Sequence, residues 1–283
     1  MSQVLQGILR GVLVLLIVLC PALLVPVITP EVGQAVTLLA LLAAIVVVTE
    51  YSAPYPGLIE FRDAKPYNRA RFILVGAIVL ALTLLQRDIF LAPEVSGPVA
   101  RLSLWLGNLL SFSFSPVTLL VAALPAGLPA AHLATVTVSA ALALVIAVLG
   151  LGVFLGALAA GYWPRQNTIF NVWVNLPNFD PTKGVDVVQR LERDGQINIA
   201  VGIIMPFSLP ALLHLSSLLV QPVTLETPLA LVWGVTLWAF IPVSLIMRGI
   251  SMYRVGQLIR AQRRRIAEAE EAVPLPPQSA YSA

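Results

Sequence analysis

Residues 133–160 run without one Asp, Glu, Lys or Arg, and that run constrains the chain more than any motif in it. About 20 apolar helical residues cross a hydrocarbon core roughly 30 Å thick, so the stretch is long enough for a membrane span. Lipid offers no partner to a backbone N–H or C=O, which restricts spanning segments to helices and closed barrels. An unbroken apolar run, as opposed to strict alternation, selects the helix. Five other runs read the same way, and the expected spans are 4–28, 31–49, 72–91, 133–161, 197–220 and 227–248. The fold class that follows is an all-α polytopic membrane protein. Only 11% of the residues are charged and 58% are hydrophobic, against about 25% charged in soluble domains.

Two polar islands interrupt the apolar runs. The first, 50–72, reads EYSAPYPGLIEFRDAKPYNRARF; the second covers 164–196. Fifteen of the 17 Lys and Arg fall in these islands, at Arg10 or from Arg248 onward, and only Arg87 and Arg101 lie elsewhere. Cytoplasmic loops carry the excess of Lys and Arg. Both islands and both termini are therefore expected on the cytoplasmic side of a bacterial-type inner membrane. The net charge of +3 is then a topology signal and gives no reason to expect nucleic acid.

This arrangement allows only an even number of crossings between the islands. Residues 102–127, LSLWLGNLLSFSFSPVTLLVAALPAG, are the ones to demote, because Asn108, Ser111, Ser113, Ser115 and Pro116 crowd their centre. A re-entrant or interfacial hairpin on the outer side is expected there, where irregular backbone is buried in protein or lines a wet cavity. The first run lacks a small-x-small cleavage pattern and reads as a retained span. Cys20, alone of its kind, reads as a lipid- or helix-facing hydrophobe.

Glu50, Glu60 and Asp63 have four Lys or Arg among them and no His nearby, the pattern of a salt-bridged loop. Pro54, Pro56 and Pro66 each lock a backbone angle, so the loop has a fixed shape. A rigid, charged, aromatic loop suits partner docking through Glu60, Arg62, Asp63, Tyr67 and Arg69, joined by Trp173 and Phe179 of the second island. Asp180 and Pro181 form a helix start, and Gly195 a stop, for a short amphipathic surface helix. Its apolar face carries Val187, Val188 and Leu191, and Arg190 is spaced to pair with Asp186 and Asp194. A cytoplasmic helix over 251–273 and a disordered tail over 274–283 complete the chain.

Three further features invite a function. His214 follows Pro210 by four residues, at membrane depth, where it can relay protons, ligate a haem or bond a carbonyl that Pro210 leaves free. The last is the expected role, because the chain offers no second deep His. Asn108 and Ser111 can line a polar path through the hairpin or bond other helices. Gly152, Gly156 and Ala160 recur every four residues, as helix-packing faces do, and Gly7 and Gly11 share that spacing.

Two His and one Cys, with no converging acid, base or nucleophile, indicate no catalytic site, metal or cofactor. The expected function is that of a non-catalytic accessory subunit or assembly and scaffold factor. It would sit in the bilayer and hold a membrane-protein partner, or a second copy of itself, through its cytoplasmic loops. The alternative is a transporter or channel built on a helix broken at Pro206 and Pro210 around His214, together with the polar hairpin.

Overall fold

The apolar runs fold as helices whose starts are marked by proline. The computed structural model describes residues 3–62, 65–91, 97–163, 172–177, 179, 186–216 and 223–271, with no strand among them. In chain order the helices are α1 (Gln3–Leu24), α2 (Pro30–Ser52), α3 (Lys65–Leu91), α4 (Pro98–Leu110), α5 (Pro116–Ala122), α6 (Ala130–Ala159), α7 (Val172–Asn175), α8 (Val187–Ser216) and α9 (Pro228–Glu271). Pro30, Pro98 and Pro116 each occupy a first turn, where the missing N–H would have had no partner in any case. Pro66 does the same for α3, so that helix starts at Lys65 rather than near 72 and absorbs the end of the first island. Six helices, α1, α2, α3, α6, α8 and α9, are long and apolar enough to cross a membrane.

Three boundaries differ from the sequence expectation, for physical reasons. Gly195 does not end a short surface helix; α8 continues through it to Ser216, and Gly195 lies against the backbone of α9 at Gly249. Nor do Pro206 and Pro210 break the fifth span. A proline inside a membrane helix frees the carbonyl four residues back, and local adjustment and neighbouring helices accommodate it. The last span and the C-terminal extension are one helix of 44 residues, α9, running through Pro242. Asp180, Pro181 and the tail 274–283 lie outside the described residues.

Packing is antiparallel along the chain. Leu74 of α3 meets Gly150 of α6, while Tyr67 faces Phe154, their rings 6.3 Å apart. Gly7 and Gly11 of α1 lie against Ser52, Val48 and Ala44 of α2. Gly195, Gly202 and Gly249 let α8 and α9 touch backbone to backbone, with Gly202 facing the carbonyl of Pro242. Buried residues concentrate on α3, α6 and α9, among them Ile78, Leu82, Ala143, Phe154, Val235 and Met247. By contrast α2 buries Ala40 and exposes Leu38, Leu39, Leu42 and Ile45, as a helix at a lipid boundary does.

One consequence of this order positions everything that follows. The start of α1, the end of α2, the start of α3, the end of α6, the start of α8 and the C-terminal half of α9 share one end of the bundle. The first island closes that end. The segment α4–α5 is attached at the opposite end, since it leaves the C-terminus of α3 and returns to the N-terminus of α6.

The glycine seams give a direct prediction. A side chain at Gly249 meets the carbonyl of Gly195, whereas one at Gly152 meets nothing within 4 Å. The variant Gly249→Val should therefore lose several degrees of Tm in detergent or fail to fold. Gly152→Val should leave the melting curve of the isolated chain unchanged.

Candidate docking surface

The first island holds its shape through its charged residues. Glu50 stands in the last turn of α2, and its Oε2 accepts from the N–H groups of Gly57, Leu58 and Ile59 at 3.0, 2.7 and 3.0 Å. A carboxylate ringed by backbone donors is a strong anchor, because each bond is charge-assisted. Arg62 folds back in the other direction and donates from Nη1 to the carbonyl of Ala53 at 2.5 Å. Ala53 is the C-cap of α2, so the guanidinium also faces the negative end of the helix dipole. Loop 53–62 is thus tied to α2 from both sides.

A second tie reaches across the chain. Arg248 of α9 donates to Glu60 twice, from Nε to Oε2 at 2.5 Å and from Nη2 to Oε1 at 2.7 Å. Its remaining arm, Nη1, reaches Oδ1 of Asn198 on α8 at 3.0 Å, and Asn198 in turn donates to the Asp194 carbonyl. This fork-to-fork geometry is the one arginine makes best with a carboxylate. The carbonyls of Glu60 and Phe61 both accept from Asn68 Nδ2, which fixes the turn into α3.

The second island meets the first here. The N–H of Phe61 donates to the carbonyl of Asn175 at 2.6 Å. Phe61, with φ at +52°, is fully buried between Tyr67 and Trp163, at ring separations of 4.6 and 6.0 Å. Left-handed backbone at a bulky residue is costly, so the packing and the bonds around it hold the turn in place. Arg190 stacks over the ring of Phe179, which is buried in the protein.

The residues singled out from the sequence therefore divide. Glu60, Arg62, Tyr67 and Phe179 are turned inward and give the surface its shape. Arg69 is exposed, the side chain of Trp173 is not described, and Asp63 lies outside the described residues. The outward surface consists of Pro54, Tyr55, Gly57 and Leu58, with Tyr55 76% and Leu58 71% exposed. Two large apolar side chains held out on a fixed loop were not singled out from the sequence. The signal was present in YPGL, a turn sequence flanked by apolar residues. Arg248 and Asn198 were missed as well, since nothing local marks a residue that bonds another 188 positions away.

The residues of the alternative reading are not brought together. His214 is exposed near the end of α8, and Asn108 and Ser111 are exposed on and just after α4. The hydroxyls of the α4–α5 segment serve its own backbone: Ser111 donates to the Gly107 carbonyl, Ser115 caps α5, and Thr118 donates to the carbonyls of Phe112 and Ser115. His132 bonds the carbonyl of Thr224 at 2.9 Å and ties α6 to the approach of α9. Gly152 and Gly156 face outward with no neighbour, and Ala160 is exposed, so no described helix of this chain packs on them. Asp186 pairs with Arg263 at 2.7 Å rather than along its own helix, and Glu192 pairs with Arg260 at 2.6 Å. No group of three or more His, Cys, Asp or Glu able to hold a metal occurs among the described residues.

Removal of one partner from the Glu60–Arg248 pair strands the other in a largely buried position. For fully buried pairs this costs about 3–5 kcal/mol. Glu60→Gln and Arg248→Ala should each lower Tm by several degrees, while Arg193→Ala, whose ion pair is exposed, should not move it. Thermal denaturation in detergent followed by tryptophan fluorescence reads both.

No protein-family model matches the chain, and comparison with curated proteins and with solved structures finds no match.

Proposed function

We propose that this chain is a non-catalytic multipass membrane protein, an accessory or scaffold subunit that docks a protein partner through loop 53–62. The observation that carries the reading is the shape of that loop. It presents Tyr55 and Leu58 to the outside while Glu50, Arg62 and the Glu60–Arg248 pair hold its backbone. Exposed apolar side chains are common, but here they stand on backbone fixed before any partner arrives. Preorganisation of this kind lowers the ordering cost of association, and aromatic anchors dominate binding energy in such contacts.

The charge distribution supports a cytoplasmic placement of the loop. The bundle end that carries both islands also carries Arg10 and the basic stretch of α9, and Arg87 and Arg101 stand near the opposite end. On this reading α4–α5 enters and leaves from the outer side as a re-entrant or interfacial hairpin. Residues 98–110 and 116–122 are each too short to cross alone, at roughly 1.5 Å per residue. Reporter fusions at residues 95 and 128 should both report the outer side, and fusions at 58 and the C-terminus the cytoplasm.

Site-specific photocrosslinking tests the docking itself. A photoreactive residue at position 55 or 58 should give one discrete adduct with another polypeptide in the native membrane. The same probe at Leu38, which faces lipid from α2, should give none. Lipid adducts alone at 55 and 58 would overturn the proposal.

A further inference from the structure

Arginines at the loop-bearing end of the bundle are not all matched by carboxylates. Glu50 is held by three backbone N–H groups and Glu60 by Arg248, so neither is directed at Arg10 or Arg71. Arg10 of α1 instead lies over the ring of Tyr51, with Cζ 4.1 Å from the centroid. Arg71 of α3 lies near two rings, 5.2 Å from that of Tyr67 and 5.8 Å from that of Phe240. Among the described residues no carboxylate stands within ion-pair distance of either. Ile17 of α1 lies against Gly76 of α3, which sets Arg10 and Arg71 at nearly the same level of two neighbouring helices. Two further donors in this corner have no hydrogen-bond partner among the described residues: Nε of Arg71 and the hydroxyl of Ser52, next to Tyr51.

The position of the corner matters as much as its charge. Arg10 stands about two turns inside the apolar α1, roughly 10 Å along its axis at 1.5 Å per residue, and Arg71 stands where the polar first turns of α3 give way to its apolar run. That is the depth to which long cationic side chains reach from within a bilayer toward its polar boundary. Among the described residues α2 and α3 both pack on α1 and scarcely on each other, which leaves a seam between them over α1. A ligand entering by that seam arrives within the membrane plane.

We infer that Arg10 and Arg71, with Tyr51 and Ser52, form a binding site for the phosphate of an anionic phospholipid in the leaflet at the loop-bearing end. Guanidinium groups recognise phosphate oxygens through paired N–H donors, and aromatic faces beneath them hold the cations in place without neutralising them. A headgroup still attached to its acyl chains would reach the arginines through the seam between α2 and α3. The inference rests on the membrane placement of α1–α3 and is independent of any protein partner at Tyr55 and Leu58.

Native mass spectrometry of the purified full chain tests it, with phosphatidylglycerol and phosphatidylcholine of identical acyl chains as probes. Wild type should retain the anionic lipid in preference to the zwitterionic one. Each arginine should account for roughly fivefold of that preference. The double variant R10Q/R71Q should bind both lipids alike, whereas R264Q, on the exposed C-terminal part of α9, should behave as wild type. Should the double variant fail to fold, R10Q alone should lose part of the preference and R10K should keep most of it. Equal retention of the two lipids by wild type, or an unchanged preference in R10Q, overturns the site. Displacement of the bound lipid by millimolar inorganic phosphate would also overturn it, by identifying a site for a free anion.

Discussion

The bond between Glu60 and Arg248 joins residues 188 positions apart, and the loop-bearing end of the bundle depends on it. Glu60 belongs to the loop that leads into α3, while Arg248 sits midway along α9. Through Asn198 the same guanidinium also reaches α8. Two helices and one loop are thus fixed by a single planar group with five donors. Lysine, a point charge on a flexible stem, could not reach three acceptors in this geometry. Near the polar boundary of a membrane such a pair is less screened than on a soluble surface, and its partial burial keeps it so.

The rest of that end follows from the need to give every polar group a partner. Glu50 takes up three amides that a tight turn would otherwise leave free, and Arg62 takes a carbonyl at the end of α2. The α4–α5 segment at the other end obeys the same rule with hydroxyls in place of charges. Its break at 111–115 is lined by Ser and Thr that bond adjacent carbonyls and cap α5. Where helices meet within the apolar layer, glycine does the work: α8 and α9 approach until carbonyl and backbone of the partner touch. Hydrophobic burial does not distinguish protein from lipid there, so close contact between backbones has to supply the adhesion.

How much of this was legible in the sequence depends on how local each cause is. The six long helices were legible because span length and apolarity are properties of a single stretch. The extent of α8 and α9 was not. A glycine that would end a soluble helix and prolines that would break one are tolerated here, for reasons that lie on the neighbouring helix. The prolines of the first island were legible as turn residues, but the roles of its charged residues were not. Glu60 and Tyr67 look like surface chemistry in a polar stretch and prove to be its foundations, while Tyr55 and Leu58 face outward. Of the two small-residue patterns read at the start, Gly7 and Gly11 pack a helix of this chain, while Gly152 and Gly156 face away from the bundle. Spacing alone cannot separate the two cases, because it says nothing about which side of the helix the bundle occupies.

The account stands on loop 53–62 having one shape before anything binds to it. Hydrogen–deuterium exchange on the purified chain in detergent measures this most directly, at the amides of Gly57, Leu58 and Ile59 held by Glu50. Protection at these amides comparable to that at the ends of the helices is the predicted result, and Glu50→Ala should abolish it there while leaving α2 unchanged. Exchange at the rate of free peptide in the wild-type chain would contradict the account.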